Sequence, residues 1–103
     1  MAGEYQDYRR STRQYAAISI TTSGNVSDFD VKAETALFDN IRVAQMVVIR
    51  NTHPMWLRFN SINSDQVEIF ANEGINMANI PVSNIYITTV GGCVIRMLTI
   101  GWN

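Results

Sequence analysis

Turn-forming residues interrupt this chain about every 8–12 residues. They stand at Ser23-Gly24-Asn25, Asn51-Thr52-His53-Pro54, Ser61 to Asp65, Ala71 to Gly74 and Gly91-Gly92. No stretch between these turns offers a convincing long helix. The segments between the turns are rich in Val, Ile, Thr and aromatics and alternate with period two, the pattern of pleated strands. In Tyr15 to Ser23, Ile18 and Ile20 share one side of a pleat while Ser19 and Thr21 share the other. Arg42 to Arg50 (RVAQMVVIR) is apolar on both rows, which predicts a central strand buried on both faces. Met55 to Asn60 then places Met55, Leu57 and Phe59 opposite Trp56, Arg58 and Asn60, and reads as the return strand of a hairpin. Pro81 marks an edge or bend, because proline cannot donate to a central ladder. Gly91-Gly92 reads as a hairpin turn before the long last run from Cys93 to Trp102. Residues 26–40 are ambiguous; they predict a strand to about residue 33 and then a short irregular turn. Seven or eight such strands define an all-β chain, an antiparallel β-sandwich or barrel, and the sandwich is the fold expected here.

The 103 residues are 47% apolar and 17% charged, which suits one domain with one core. The first fourteen residues hold Glu4, Asp7, Arg9, Arg10 and Arg13, with Tyr5 and Tyr8 as the only large apolar groups. They cannot bury themselves, so residues 1–14 are expected to form an arm and residues 15–103 the sandwich domain. No apolar run approaches a membrane span and the opening residues lack the apolar core of a secretion signal, so a soluble chain made in a cytoplasm is expected.

Chemistry is sparse. One cysteine excludes an internal disulfide framework, and one histidine excludes metal sites that need two or three imidazoles. No cofactor or metal is expected. Asp28, Asp30, Glu34 and Asp39 are close enough in sequence to suggest paired carboxylates or a calcium loop. The glycine and the later bidentate glutamate of such a loop are missing, and a solvated loop is expected. Cys93 reads as a small buried hydrophobe and His53 as an exposed turn residue, so no nucleophile and base stand together. Gly91-Gly92 lacks the Lys-Ser/Thr and the helix of a phosphate loop. Three arginines near Tyr8 and Tyr15 are the nearest approach to a nucleic-acid patch, but a net charge of −1 favours a protein partner for the arm. The chain is not expected to be an enzyme.

What calls for explanation is apolar and aromatic side chains on the row opposite the core. Trp56 and Arg58 oppose Met55, Leu57 and Phe59; Tyr86 opposes Ile85 and Ile87; Val94, Leu98, Ile100 and Trp102 oppose Ile95 and Met97. Trp, Tyr, Met and Arg are the types that interface cores favour. Trp56, Arg58, Tyr86 and Trp102, with Tyr5, Tyr8, Arg9, Arg10 and Arg13 of the arm, are therefore the expected interface residues.

The stretches Ile49-Arg50-Asn51, Leu57-Arg58-Phe59-Asn60, Asp65 to Phe70, Val82 to Gly92 and Val94 to Gly101 together resemble a family of small tailed-bacteriophage virion proteins. The resemblance covers about residues 16–103 and consists of strand-and-turn patterns. It implies a jelly-roll-like sandwich with no catalytic residues. It further implies a capsid cement or decoration protein, often trimeric, that binds the outer surface of the major capsid protein in the virion. A neck, tail or fibre-attachment component would use the same fold, and a carbohydrate-binding module would use Trp56 and Tyr86 as stacking platforms.

Overall fold

Residues 13–39 and 43–102 are described by a computed structural model, in which each β-branched run becomes a strand. In chain order these are β1 (Arg13–Thr21), β2 (Val26–Asp30), one helical turn α1 (Val31–Glu34), β3 (Val43–Asn51), β4 (Met55–Phe59), β5 (Val67–Ile69), β6 (Ile75–Val82), β7 (Ile85–Thr89) and β8 (Val94–Trp102). They form two four-stranded sheets, ordered β1-β8-β3-β6 and β2-β7-β4-β5. Pairing is nested: β1 lies against β8, β2 against β7, β3 against β6 and β4 against β5, all antiparallel. The chain is thus a long ribbon folded in half at the β4–β5 turn and rolled up so that β3 also meets β8 and β4 also meets β7. This is a jelly roll, the expected all-β antiparallel sandwich.

The inner faces follow from period two. Met46 and Val48 of β3, Ile95 and Met97 of β8, Met55 and Leu57 of β4, and Ile85 and Ile87 of β7 are buried and face one another between the sheets. Cys93 is buried among them, as expected of a small hydrophobe. The connecting segment after α1 contributes Leu37 and Phe38 to the same core, and the Thr99 hydroxyl donates to the Leu37 carbonyl at 2.7 Å.

Four expectations need correction. The turn at residues 51–54 is not a hairpin: β3 and β4 lie in opposite sheets, because their apolar rows must meet across the core rather than side by side. Gly91-Gly92 likewise carries the chain from one sheet to the other. Thr22 secures that corner, its hydroxyl donating to the Val90 carbonyl at 2.6 Å and accepting from the Cys93 amide at 3.0 Å. A Cβ on Gly91 would come within 2.9 Å of the Gly24 Cα, so the two corners at this end of the roll touch through glycine. The outer row of β3 is not covered by a layer among the described residues: Val47 is half-buried and Ile49 is 55% exposed. Finally, Arg13 and Gln14 belong to β1 rather than to the arm, their backbones pairing with Trp102 and Gly101.

The ambiguous stretch resolves as β2 followed by α1, with Asp30 as the cap. The backbone leaves the extended conformation at Val31, and the Asp30 carboxylate accepts the Ala33 amide at 3.1 Å, as an N-cap residue does.

At the same end of the roll as the Gly91-Gly92 corner, where β3 pairs with the start of β8, Asn51 is wholly buried at the end of β3. Its amide donates to the carbonyls of Phe70 at 2.8 Å and His53 at 3.1 Å, and its carbonyl oxygen accepts from the Gly74 amide at 2.9 Å. One side chain so ties the β3–β4 corner to the β5–β6 corner. Gly74 can take this place because its φ is +65° and any Cβ would lie 2.6 Å from the Val48 carbonyl oxygen. Asn51→Ala would strand buried polar groups, each at about 1–3 kcal/mol. Urea unfolding of that variant is expected to show a loss of about 2–4 kcal/mol with an unchanged m value; a loss under about 0.5 kcal/mol would show that water replaces the amide at no cost.

Candidate binding face

Alternation along β4 and β7 turns Trp56, Arg58, Tyr86 and Thr88 to the solvent side of their sheet, and all four are half-buried. The register then places them together. Arg58 stands opposite Tyr86, which stands opposite Asp30 of β2. Trp56 stands opposite Thr88 on one side and Glu68 of β5 on the other. Two adjacent rows therefore cross the sheet, and Trp56 and Tyr86 are diagonal neighbours within reach of large side chains.

A bulge in β2 completes the face. The β2–β7 register shifts between Val26 and Phe29, and Asp28 adopts φ 50°, a left-handed conformation that aspartate tolerates better than most residues. The Asp28 amide donates to the Thr88 hydroxyl at 3.1 Å, and the Asp28 carboxylate accepts from Arg58 Nε at 3.3 Å. Arg58 Nη1 also donates to the Ser64 carbonyl in the β4–β5 loop at 2.6 Å. The guanidinium is thus held from two sides, while 28% of the Arg58 side chain and 35% of that of Asp28 stay accessible. At that exposure the pair contributes under about 1 kcal/mol to stability, so its main effect is to hold the cation in place.

Asp30 is tied in differently. Its carboxylate accepts from the Asn84 amide at 2.8 Å as well as from the Ala33 amide, and Asn84 in turn accepts from the backbone of Lys32 and Ile85, each at 2.8 Å. The Asn84 hydrogen bond, followed by that from Ala33, holds the Asp30 carboxyl below the usual carboxylate value. Asp28 and Asp30 are accordingly built into the sheet rather than into the solvated loop expected of them, whereas Glu34 and Asp39 are exposed.

Of the expected interface residues, Trp56, Arg58 and Tyr86 come together on this face. Trp102 and Arg13 pair with each other through the backbone at the far end of β8 and β1, in the other sheet; their side-chain placements lie outside the described residues. Tyr5, Tyr8, Arg9 and Arg10 also lie outside the described residues. His53 is half-buried rather than exposed, its Nδ1 within 3.1 Å of the Thr52 hydroxyl, and the Cys93 thiol meets the His53 carbonyl rather than its ring.

The solvent side of the β1-β8-β3-β6 sheet carries a second group, of which the sequence reading named Leu98 and Ile100 but not Tyr15, Ala17, Val47 or Ile49. Tyr15 is 67% exposed and stands opposite the half-buried Ile100. Next to them Ala17, Leu98 and Val47 form one continuous row across three strands. Beside that row a shallow depression of about 250 Å³ is lined by Ala17, Ser19, Ile49 and Arg96. The alternation of Tyr15 with Ala16 and of Ile49 with Val48 could have signalled this patch, had β3 not been read as covered on both sides.

No known family, curated protein or solved structure matches this chain.

The depressed Asp30 pKa has a sign. A carboxyl that ionises more readily when folded adds stability above its ordinary value of 3.8, and the gain is lost as the pH falls through the lower folded value. Asp30→Asn is therefore expected to flatten the acid limb of the urea-midpoint profile below pH 3.8 relative to wild type. Parallel profiles would mean that the carboxylate is not differentially stabilised in the fold.

Proposed function

We propose that this protein is a non-catalytic structural component of a tailed-phage virion, a decoration protein that seats its sheet faces on the outer surface of the major capsid protein. The observation that carries the reading is the outward row of apolar and aromatic side chains on both sheets. Tyr15 and Ile49 stand largely in solvent on one sheet, and Trp56 and Tyr86 flank a fixed Arg58 on the other. Aromatic side chains with an immobilised arginine are what the energetic centres of protein interfaces use, and two such surfaces exceed what an isolated small domain needs. The strand-and-turn resemblance to small virion proteins supports the same reading, and the jelly roll agrees with it, although the fold alone implies no function. Binding energy from buried apolar area, at roughly 25 cal/mol per Å² before association costs, would be added to a shell that holds pressurised DNA.

A second reading is favoured by one feature. Trp56 and Tyr86 are diagonal neighbours beside Asp28, Asp30 and Glu68, an arrangement that would also serve a sugar-binding platform.

Quantitative mass spectrometry of purified virions separates the readings. The shell reading expects on the order of hundreds of copies per particle, as a repeated shell lattice requires, whereas a neck or tail ring would hold about six or twelve. Trp56→Ala combined with Tyr86→Ala should deplete the protein from particles at least tenfold while leaving it folded by circular dichroism. Absence of the wild-type chain from virions, together with binding on a glycan array that the double variant loses, would overturn the proposal in favour of the sugar platform.

A further inference from the structure

A sheet edge is a row of unpaired backbone donors and acceptors, and folded proteins blunt such edges with bulges, prolines, charges or brevity. Three of the four edges of this sandwich are blunted. β2 is broken by the bulge at Asp28, β5 is three residues long with Glu68 at its centre, and β6 contains Pro81 and a register shift against β3. Apart from the charge of Arg13 at its first position, β1 has none of these defences. Its nine residues pair with β8 from Arg13↔Trp102 to Thr21↔Val94 without a single shift, and from Gln14 to Thr21 it carries neither charge nor proline.

The direction of its free groups can be read from the adjoining bond. The Thr22 amide donates to the Cys93 carbonyl at 3.0 Å, whereas the Val94 carbonyl accepts from the Thr52 amide at 3.1 Å on the β3 side, so Thr21↔Val94 is a non-hydrogen-bonded pair of the β1–β8 ladder. Hydrogen-bonded and non-bonded pairs alternate in antiparallel ladders. Residues 14, 16, 18 and 20 therefore spend their backbone groups on β8, and Ala16, Ile18 and Ile20 also turn their side chains to the core. Arg13, Tyr15, Ala17, Ser19 and Thr21 direct their backbone N–H and C=O groups away from the sheet.

We infer that the β1 edge pairs with the β1 edge of a second copy of this chain, antiparallel about a two-fold axis through Ala17. Ala17 is the midpoint of the strand, so this register uses its whole length and sets outward-directed residues only against one another: Ala17 meets its counterpart, Tyr15 meets Ser19, and Arg13 meets Thr21. Each such pair exchanges two backbone hydrogen bonds. The one charge of the strand opposes a threonine, and the two copies of Arg13 lie at opposite ends of the joint, so no like charges are brought together. The pairing fuses the two copies of the β1-β8-β3-β6 sheet into one. It doubles the patch of exposed Tyr15 and half-buried Leu98 and Ile100, and extends a roof over the small cleft of about 140 Å³ between β1 and β2, which Ile20, Val26 and Phe29 line. A three-fold ring, expected from the resemblance, would instead need β1 to meet a different edge, and among the described residues each other edge is blunted. The inference stands independently of the virion reading.

Sedimentation velocity of the full chain at tens of micromolar, combined with three variants, tests this. Wild type is expected to sediment as a dimer. Ala17→Pro removes a donor that β8 does not use and a proline fits an edge strand there, so this variant should remain folded and sediment as a monomer. Ala17→Lys places two like charges on the axis and should do the same even where the proline variant fails to fold. Ala17→Cys should give a disulfide-linked dimer on mild oxidation, since paired Cα atoms at such a position lie about 5.5 Å apart. Ser19→Cys, which faces Tyr15 of the other copy, should not. A wild-type monomer, a trimer, a dimer that Ala17→Lys leaves intact, or equal cross-linking of both cysteine variants would each overturn the assignment.

Discussion

The register of the nested ribbon is the constraint on which everything else in this molecule depends. Side chains alternate across a pleat with period two, so a slip of one residue anywhere along β1–β8 or β4–β7 would exchange the inner and outer rows of a strand. The outer rows here are not the innocuous polar rows of an ordinary sandwich, which makes the exchange costly in both directions. A slip in β4 would turn Trp56 and Arg58 inward and force a cation into a space now filled by Met55 and Leu57, an uncompensated buried charge. Asn51 and Thr22, both at the end of the roll where the chain crosses between the sheets, act as register pins, because each side chain ties its own corner to the backbone of another. Both are short polar groups whose hydrogen bonds are satisfied only when the corners stand in this alignment.

From that register follow two faces of different character on one small domain. The β1-β8-β3-β6 sheet presents aliphatic side chains and Tyr15, with the charge of Arg96 at its margin. The β2-β7-β4-β5 sheet presents Trp56 and Tyr86 among fixed charges. The difference matters for what each can bind. An apolar face gains affinity from area and selects weakly, whereas a face with an immobilised Arg58 penalises any partner that fails to match its cation. The bulge at Asp28 links local backbone conformation to this selectivity, since it is the extra residue in β2 that brings a carboxylate to the guanidinium.

Much of the fold was legible in the residues. Strand existence followed from alternation and β-branching, the core rows of β4 and β7 from Met55, Leu57, Ile85 and Ile87, and the grouping of Trp56, Arg58 and Tyr86 on the outside from the same period. What was not legible is non-local. Whether residues 51–54 and 91–92 close hairpins or cross between sheets depends on which distant strand competes for each edge, and two-residue glycine turns look alike in both cases. The role of Asn51 was hidden because its partners, Phe70 and Gly74, lie in another corner. Asp28 and Asp30 were misplaced because a bulge and a helix cap have weak signatures in a stretch of alternating polar residues. Ile49 was misjudged because a run apolar on both rows is equally consistent with burial on both faces and with one face left for a partner.

The nested register can be observed directly in solution by nuclear Overhauser spectroscopy on the isotopically labelled protein. Non-hydrogen-bonded pairs of an antiparallel ladder bring their Hα atoms into close contact. Cross-peaks joining the Hα of Ala17 to that of Leu98, and the Hα of Tyr15 to that of Ile100, are what this architecture requires. Cross-peaks displaced by one residue, or strong Hα contacts pairing β3 with β4 or β7 with β8 as hairpins, would contradict it and with it the placement of both outer faces.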